Sequence, residues 1–474
     1  MGSLFSSLDS VANALQAFQR AIDVTQNNVT NANSPGYAKQ VPVLESQDFQ
    51  AAGGFNGGVF EQTQDTRNQY AETAVQQQQS LLGQFQQLQT ALAPLQTTFD
   101  VSANSPIPAA LNQLFQSFSQ WSTQPTSSTY QNAVISAAQQ TAAAVQQTAS
   151  ELSAIRTSID SNIQSSVAQI NQDAASIQAY NLAISKQGQP DAGLSAQLYS
   201  ALEDLSTVAP VQLTTGVGNT VTVLLGGQTP LVIGTELHQI QAVNDTASNA
   251  TNPGAPANIK IVDDKGTDIT SQVTSGGLAG LLNVRNNLLP SLAGGGPQTG
   301  DLNTLAKGLA DSVNNILAAG STTLTPPYQS GSPLFTYDPT SPSAIASTLS
   351  VNSAITPSQL AAVQPGPPLV SNGVALQLAA LNDPSNPQIN GMTFSQFFGS
   401  MASRVGNAAN SAQTGVTAQT QLVAQAHSLR QQVSGVSLDE EAVRLVQLQS
   451  SYQAASKVVT VVDQLTQAIM NMVQ

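Results

Sequence analysis

The sequence predicts a mainly α fold with an inserted β-rich domain, in an elongated multidomain chain whose terminal helices pair as a coiled coil. Three observations support this class. Apolar residues recur in steps of three and four at both ends, helical spacing persists through a Gln- and Ala-rich region after Arg67, and alternating β-branched residues begin only after Pro210. At 474 residues the chain has room for about two to four domains.

The first and last segments each carry one coiled-coil seam. The first seam consists of Leu4, Leu8, Val11, Leu15, Phe18 and Ile22. The last repeats its rhythm in Leu448, Tyr452, Ala455, Val459, Val462, Thr466, Ile469 and Val473. If only one end of the chain showed this spacing, an ordinary amphipathic helix of a bundle could explain it. Because both ends show it, pairing of the two terminal helices with each other is favoured. We therefore predict that the seams pair within one subunit, and that the outer faces of both helices form an assembly interface with neighbouring subunits.

A long polar segment, NNVTNANSPGYAKQ (27–40), ends the first helix. Asparagines cap helices and tolerate unusual dihedrals, and a Pro-Gly pair suits the two central positions of a type II turn. The tyrosine that follows offers an anchor beyond the turn. We interpret this segment as a hinge at which the chain leaves the coiled-coil layer for a wider one, with the hinge motif formed by Asn28, Asn31, Asn33, Pro35, Gly36 and Tyr37.

Two glycine pairs, Gly53-Gly54 and Gly57-Gly58, follow the hinge. A phosphate-binding loop would need a following lysine and a strong preceding strand. The segment lacks both, so the tip of a loop or hairpin is favoured.

Helical spacing then continues from Arg67 to Leu205, with Pro94 expected to kink one helix and Trp121 expected in the core. Helical patterns return later in the chain, over Val374 to Leu381 and Phe394 to Val433. We assign residues 34–205, 278–320 and 372–435 to one helical bundle domain.

The segment 206–277 is predicted to be the β-rich inserted domain, because its β-branched residues alternate with polar ones. Within it, IKIVDDKGTDIT predicts a strand, a tight turn and a second strand. Asp263, Asp264 and Asp268 could suggest a calcium loop, but their spacing differs from that of an EF-hand, so a hairpin turn is favoured. The Pro-, Ser- and Gly-rich stretch 321–371 has little periodicity and predicts an irregular insertion or a flexible edge.

The last helix has a recognisable start. Ser437 is a candidate N-cap with Glu440 three residues later, the pattern of a capping box. Asp439, Glu440 and Glu441 all suit the positive end of a helix dipole. Helix-start chemistry therefore accounts for the acidic trio better than catalysis or metal binding does. Residues 436–474, together with 1–33, are expected to form the terminal coiled-coil domain.

Composition excludes several functions. Only 8% of the residues are charged, the formal net charge is −14, and lysine and arginine form no cluster, so nucleic acid is not an expected partner. No window approaches the roughly 20 apolar residues of a membrane span. Cysteine is absent, and no catalytic or cofactor motif occurs. We therefore expect a protein that is not an enzyme and has no catalytic residue, cofactor or metal site. The amino terminus lacks the features of a cleaved signal peptide.

The two ends resemble the flagellar axial proteins. DVTQNNVTNANSPGYAKQ (23–40) is similar to the motif shared by rod, hook and hook-associated proteins, an Asn-rich helix end followed by Ser/Thr-Pro-Gly-Tyr/Phe. Residues 435–473 resemble their carboxy-terminal motif, and GGLAGLLNVRNNLL and ALQLAALND resemble later segments of the hook-associated members. The chain departs from the family at Lys39, where arginine is commoner, and at AQLYSALEDL, which replaces a run of acidic and basic residues.

This resemblance implies an extracellular structural ring, made of about eleven copies, at the junction between flagellar hook and filament. It further implies type III export without a cleaved signal peptide. The implied partners are the hook protein, a second junction protein toward the filament, and an export chaperone that binds the carboxy-terminal helix. A hook or distal-rod protein is the first alternative and would be less helical after residue 67. A cell-wall hydrolase or an adhesin carried on axial-protein termini are further alternatives.

Overall fold

A computed structural model of the chain describes residues 2–46, 59–102, 105–187, 192–216 and 220–473. Helices make up most of it: α1 (Gly2–Thr30), α2 (Gln69–Thr98), α3 (Pro106–Thr123), α4 (Ser128–Gln187), α5 (Ala192–Val208), α6 (Gly276–Asn283), α7 (Leu289–Ala293), α8 (Asp301–Ala319), α9 (Ile345–Thr348), α10 (Gly373–Ala379), α11 (Phe394–Ser434) and α12 (Leu438–Val473). The strands are short: β1 (Gln40–Ser46), β2 (Val59–Asp65), β3 (Val211–Thr215), β4 (Val221–Leu225), β5 (Thr229–Ile233), β6 (Glu236–Leu237), β7 (Gln241–Asp245), β8 (Asn258–Val262), β9 (Phe335–Thr336) and β10 (Ser350–Val351). The predicted mainly α class is confirmed.

The chain folds into two compact units, each built from several stretches of sequence. The first contains residues 1–80, 172–237 and 419–474, and the second contains residues 81–171 and 238–418.

In the first unit the two terminal helices pack against each other, as predicted. Their shared core consists of Ala21, Ile22 and Leu448, with Phe18 and Leu445 packed around it. Near the end of α1, β1 and β2 pair as an antiparallel ladder that runs from Gln40 opposite Asp65 to Ser46 opposite Val59. The predicted glycine-rich tip between these strands lies outside the described residues.

The first unit also holds a four-stranded antiparallel sheet in the order β3-β4-β5-β6. The carboxy-terminal part of α4 fastens this sheet through Asn181, whose side chain is fully buried. Its Nδ2 donates to the carbonyls of Val221, at 2.7 Å, and Gly234, at 2.5 Å, while its Oδ1 accepts from the Val221 N–H at 2.8 Å. One amide therefore joins two neighbouring strands to a helix.

In the second unit the core is aromatic and aliphatic. α10 packs against α3, which buries nine of its 18 residues, including Trp121 and Phe118. Phe115 stacks on Phe394 of α11 with ring centroids 6.2 Å apart. Trp121 is fully buried, and its indole N–H donates to the Pro125 carbonyl at 3.0 Å. The expectation that Trp121 is a core residue is therefore correct.

The β-rich segment differs from the expectation in two ways. Its strands form separate sheets, because β3 to β6 belong to the first unit, whereas β7 and β8 pair with each other in the second. The second strand predicted in IKIVDDKGTDIT is wrong: after β8, a turn closed by Asp263 leads to a single bridge at Asp268 and then to a 3-10 helix at Thr270–Gln272. The Asp263 side chain accepts N–H groups of its own turn, and the Asp268 side chain accepts the hydroxyl and then the N–H of Thr270, which lowers the pKa of both carboxyls.

The stretch 321–371 is a packed part of the second unit, which corrects the expectation of a flexible edge. It is irregular, with only short elements, but it buries an apolar set of its own: Leu334, Phe335, Ile345, Leu349, Leu360 and Ala361. Periodicity failed to predict this packing because no helix or strand here is long enough to show a period. Among the described residues, no helix combines the length and apolar character that a bilayer crossing requires.

Candidate functional site

The sharp turn after α1 is fixed by a proline and a glycine. The Tyr37 N–H donates to the Ser34 carbonyl at 3.2 Å, and Gly36 between them has φ of +71°. A Cβ at Gly36 would lie 2.3 Å from the Ala196 carbonyl oxygen of α5. Only glycine combines this backbone conformation with this close approach.

Asn28 connects the turn to the last helix. Its fully buried side chain donates through Nδ2 to the Gln40 carbonyl at 2.7 Å and to Glu441 Oε2 at 3.0 Å. Its Oδ1 accepts from the Tyr37 hydroxyl and the Gln40 N–H, both at 2.9 Å. All four hydrogen-bonding positions of the amide are therefore used. We call Asn28, Tyr37, Lys39, Gln40, Glu440 and Glu441 the polar junction.

Lys39 supplies the positive charge of the polar junction. Its Nζ lies 2.8 Å from Glu440 Oε2 and 3.2 Å from Glu441 Oε1. The Glu441 side chain is fully buried, whereas that of Glu440 is 70% exposed. Burial alone would lower the pKa of Lys39, but its bonds to the two carboxylates raise that pKa above its ordinary value. A lysine at this family position thus does form a specific ion pair.

Burial also affects Tyr37. Its half-buried hydroxyl is removed from water and lies near the negative charges of Glu441 and Asp65, which together raise the pKa of Tyr37 to about 12. The phenol therefore remains a hydrogen-bond donor to Asn28 over the whole neutral range.

Main-chain bonds close the polar junction on its other side. The Lys39 N–H donates to the Ser434 carbonyl at 2.9 Å, and Ser434 Oγ accepts from the Asn68 N–H at 2.9 Å. Thr66 Oγ1 donates to the Lys39 carbonyl at 2.8 Å. The start of the hairpin, the end of the hairpin and the end of α11 are thereby held together.

A second group of charged residues surrounds Arg67. Its Nη1 donates to Glu72 Oε1 and its Nη2 to the Gly36 carbonyl, both at 2.8 Å. The guanidinium carbon lies 3.7 Å from the ring centroid of Tyr199 on α5, the geometry of a cation–π contact. Burial raises the pKa of Tyr199 to about 12.

The same group extends to α11 through Arg430. Its Nη1 donates to Glu203 Oε2 at 2.8 Å and lies 3.4 Å from Glu72 Oε2. His427 Nε2 is 3.3 Å from Glu203 Oε1. Glu203 belongs to AQLYSALEDL, where the sequence departs from the family pattern, and it is nevertheless ion-paired.

The predicted seam residues fall on the facing sides of α1 and α12 to different degrees. Ile22 and Leu448 are buried, and Tyr452 and Ile469 remain exposed. The others with described side chains are half-buried: Leu8, Val11, Leu15, Phe18, Ala455, Val459, Val462 and Thr466. The side chains of Leu4 and Val473 lie outside the described residues.

α12 also carries a second apolar face, which sequence reasoning did not single out. Its large side chains are 47–62% exposed: Val443, Val446, Val458, Val461 and Leu465. At about 100° per residue, Val461 lies roughly 100° or more around the helix from most of the seam. We call these five residues the outer face of α12.

The remaining hinge and cap residues behave less uniformly. Asn31 Nδ2 donates to the Asn27 carbonyl, and its Oδ1 accepts from Ser34 Oγ, whereas the Asn33 side chain is exposed. Ser437 Oγ accepts the Glu440 N–H at 3.5 Å, but the Glu440 carboxylate turns to Lys39. The predicted reciprocal capping box is therefore incomplete.

Helix-start chemistry also does not account for Glu441, because its carboxylate is committed to Asn28 and Lys39. Across the described parts of the chain, no three His, Asp or Glu side chains gather in a group that could hold a metal ion.

Comparison with known proteins places the chain in a family. The family described as "Flagellar hook-associated protein FlgK helical domain" matches residues 92–335, just over half of the chain. The chain belongs to the FlgK family. It is therefore a structural protein of the flagellar hook–filament junction. Two further families match its ends: the "Flagella basal body rod protein" family at residues 8–37 and the "Flagellar basal body rod FlgEFG protein C-terminal" family at residues 428–472.

Two individual proteins are similar over most of the chain. Flagellar hook-associated protein 1 of Bacillus subtilis (strain 168) is 23% identical, with 99% of each chain covered. The solved structure of the flagellar hook junction protein FlgK from Burkholderia pseudomallei matches with a TM-score of 0.64 at 17% identity, covering 76% of this chain and 100% of that one. The second match shows a shared fold.

Membership of the FlgK family decides between the alternatives left by the sequence. A hook or distal-rod protein would be less helical after residue 67, but here α2 to α5 occupy most of residues 69–208. The family is structural, and as an axial protein this chain assembles with other flagellar components. The polar junction is then a feature of a structural protein.

Proposed function

We propose that this chain forms a ring, of about eleven copies, in the flagellar axial tube between hook and filament. The observation that carries the proposal is the outer face of α12, which remains exposed although α1 packs against the seam on another side of the helix. A long apolar helix face that no described residue buries is typical of a surface that binds a partner. In a ring of identical subunits that partner is the neighbouring copy.

The polar junction fits this role because it fixes the start of α12. Asn28 and Lys39 hold Glu441 at the first turn of α12. These contacts fix the rotation of α12 about its own axis, and so they fix the direction in which the outer face points. Repeated contacts between identical subunits need such a defined orientation.

The ring would meet the hook protein on one side and a second junction protein on the filament side. Before assembly the outer face of α12 would need cover, which an export chaperone on the carboxy-terminal helix would provide. The chain would reach the flagellum by type III export, without a cleaved signal peptide.

We further propose a role for each part of the chain in the tube. Residues 1–33 with 436–474 would build the inner tube, and the helical bundle of residues 34–205, 278–320 and 372–435 would build the outer tube wall. The β-rich segment 206–277 would face outward.

The test places one charge on the outer face. Val461→Asp is expected to abolish hook capping and filament growth, because a carboxylate would be buried at every contact between copies. Gln467→Asp is the matched control, since it adds the same charge at an exposed position about 120° around α12 from Val461 and is expected to leave motility intact.

Circular dichroism of both purified variants checks that the helices remain folded. Immunolabelling of isolated flagella then locates the protein. A short band at the hook–filament boundary is the expected result, whereas motility of the Val461→Asp strain, or label along the whole hook, would contradict the proposal.

A further inference from the structure

The second unit contains a cavity of about 210 Å³ that the proposed function does not use. Ser153 and Arg156 of α4 form one wall, Gly254 and Pro256 form another, and residues 343–347 with Asn303 of α8 complete it. Ser153 is exposed, so the cavity is open to solvent on the α4 side. A small polar molecule can therefore enter without unfolding the unit.

Arg156 is the charged group in this wall, and none of the described carboxylates lies within ion-pair distance of it. Its Nη2 donates to the Gly294 carbonyl at 2.7 Å. Its Nε is buried without a hydrogen-bond partner, and no carboxylate in the described part of the chain forms an ion pair with it. Arg67 and Arg430, in the first unit, each pair with carboxylates. A half-buried guanidinium whose charge has no ion-pair partner is stabilised by an anion that accepts its hydrogen bonds.

A second arginine nearby increases the excess of positive charge around Arg156. Arg285 is nearby, with its side chain almost fully buried, and it already engages Asp160, the carboxylate that could have served both arginines. Arg285 Nη1 is also buried without a hydrogen-bond partner among the described residues. The group thus holds two guanidinium charges against one carboxylate, in a chain whose formal net charge is −14.

The pKa of Arg156 is consistent with this excess of positive charge. Burial, followed by repulsion from Arg285, lowers it to about 10, although Asp160 acts in the opposite direction. The charged form of Arg156 is therefore held in an environment that a bound negative charge would relieve.

We propose that this cavity binds a small oxyanion, such as phosphate or a short carboxylate, on the guanidinium of Arg156, which lines it. The guanidinium fork suits both chemistries, because each presents oxygens that accept charge-assisted hydrogen bonds. Hydroxyl groups of Ser153 and Ser343 in the wall are additional donors. Bound anion would tie α4 to the loop at residues 254–256 and to the segment 343–347. This site is independent of assembly at the hook–filament junction.

The first experiment is calorimetric titration of the full-length protein with inorganic phosphate, at ionic strength held constant with chloride. A parallel titration with acetate distinguishes the two sources of the oxyanion. One saturable site is expected, and Arg156→Gln is expected to weaken it at least about tenfold through loss of the charged donor. Arg20→Gln, a change of the same chemistry at an exposed position on α1, is the control and should leave the affinity unchanged.

A second variant keeps the test decisive if Arg156→Gln fails to fold. Ser153→Glu places a carboxylate three residues before Arg156 on the same face of α4, where it can serve as an internal counter-ion. It is expected to raise the thermal midpoint without phosphate and to remove phosphate binding. A preference for phosphate or for acetate in the parent protein identifies the oxyanion. Absence of binding by both anions, or equal binding by the parent and Ser153→Glu proteins, would overturn the proposal.

Discussion

α3 and α12 are both amphipathic helices, but their own chain completes only one of them. α3 buries nine of its 18 residues, among them Trp121. α12 is twice as long, yet among its described side chains only the Glu441 carboxylate and Leu448 are buried, and Leu448 is still 8% exposed. Helix stability in proteins comes mainly from the packing of an apolar face. α3 is therefore packed into the core of its own unit. α12 is anchored only in its first three turns, and most of its remaining length stays exposed.

The largest effect is expected from opening the finished core. Trp121→Ala removes the side chain that fills the centre of α3, and it should lower the free energy of unfolding by about 3–5 kcal/mol. Urea unfolding followed by the helical circular dichroism signal measures the loss. Tyr70→Ala, at a residue that is 89% exposed, is the control and should change little. Equal losses in the two variants would mean that α3 is not the closed helix described above.

A smaller effect is expected from breaking the anchor of α12. Glu441→Ala leaves Lys39 with one carboxylate and one Asn28 N–H without its acceptor, so unfolding of the first unit should become easier by about 2–3 kcal/mol. The matched control is Glu440→Ala, which removes the neighbouring, exposed carboxylate from the same lysine and is expected to matter far less. Hydrogen exchange across α1 and β1 measures the difference. Similar exchange in both variants would show that burial of Glu441 does not anchor the helix.

The smallest effect is a pH dependence above neutrality. The pKa of Tyr37 is raised from 10.0 to about 12 in the folded protein, so the folded state keeps this proton more tightly than the unfolded state. The contribution to stability is complete below pH 10 and is lost as pH rises from 10 to 12. Thermal midpoints measured over this range should fall less steeply in Tyr37→Phe than in the parent.

The pKa of Tyr199 is also raised to about 12, so Tyr199 should produce the fall of the thermal midpoint with pH that remains in Tyr37→Phe. An unchanged slope in Tyr37→Phe would show that the phenol does not titrate within the junction.

Sequence reasoning succeeded for helices that show a regular apolar spacing and for turns that are set by a few neighbouring residues. Alternating steps of three and four identified both terminal helices and their pairing, and Pro35-Gly36 identified the turn that the Tyr37 N–H closes. Ser437 marked the beginning of α12 to within one residue.

Contacts between distant parts of the chain were beyond sequence reasoning. Glu441 was attributed to a helix dipole because an acidic first turn has the same pattern whether its carboxylates face water or a buried amide 413 residues away. The ring of Tyr199 under Arg67 had no local signal at all. The outer face of α12 was missed, because two apolar faces on one helix obscure the single period by which an amphipathic helix is recognised.

The span between Asn28 and Glu441 has a consequence for the completeness of the protein. Their hydrogen bond joins positions separated by 413 residues, so nearly the entire chain must be present before it can form. A fragment that ends early leaves the Asn28 amide one acceptor short, and a fragment that starts late leaves the Glu441 carboxylate without its donor. A subunit that lacks either end therefore loses the buried contact that holds the first turn of α12.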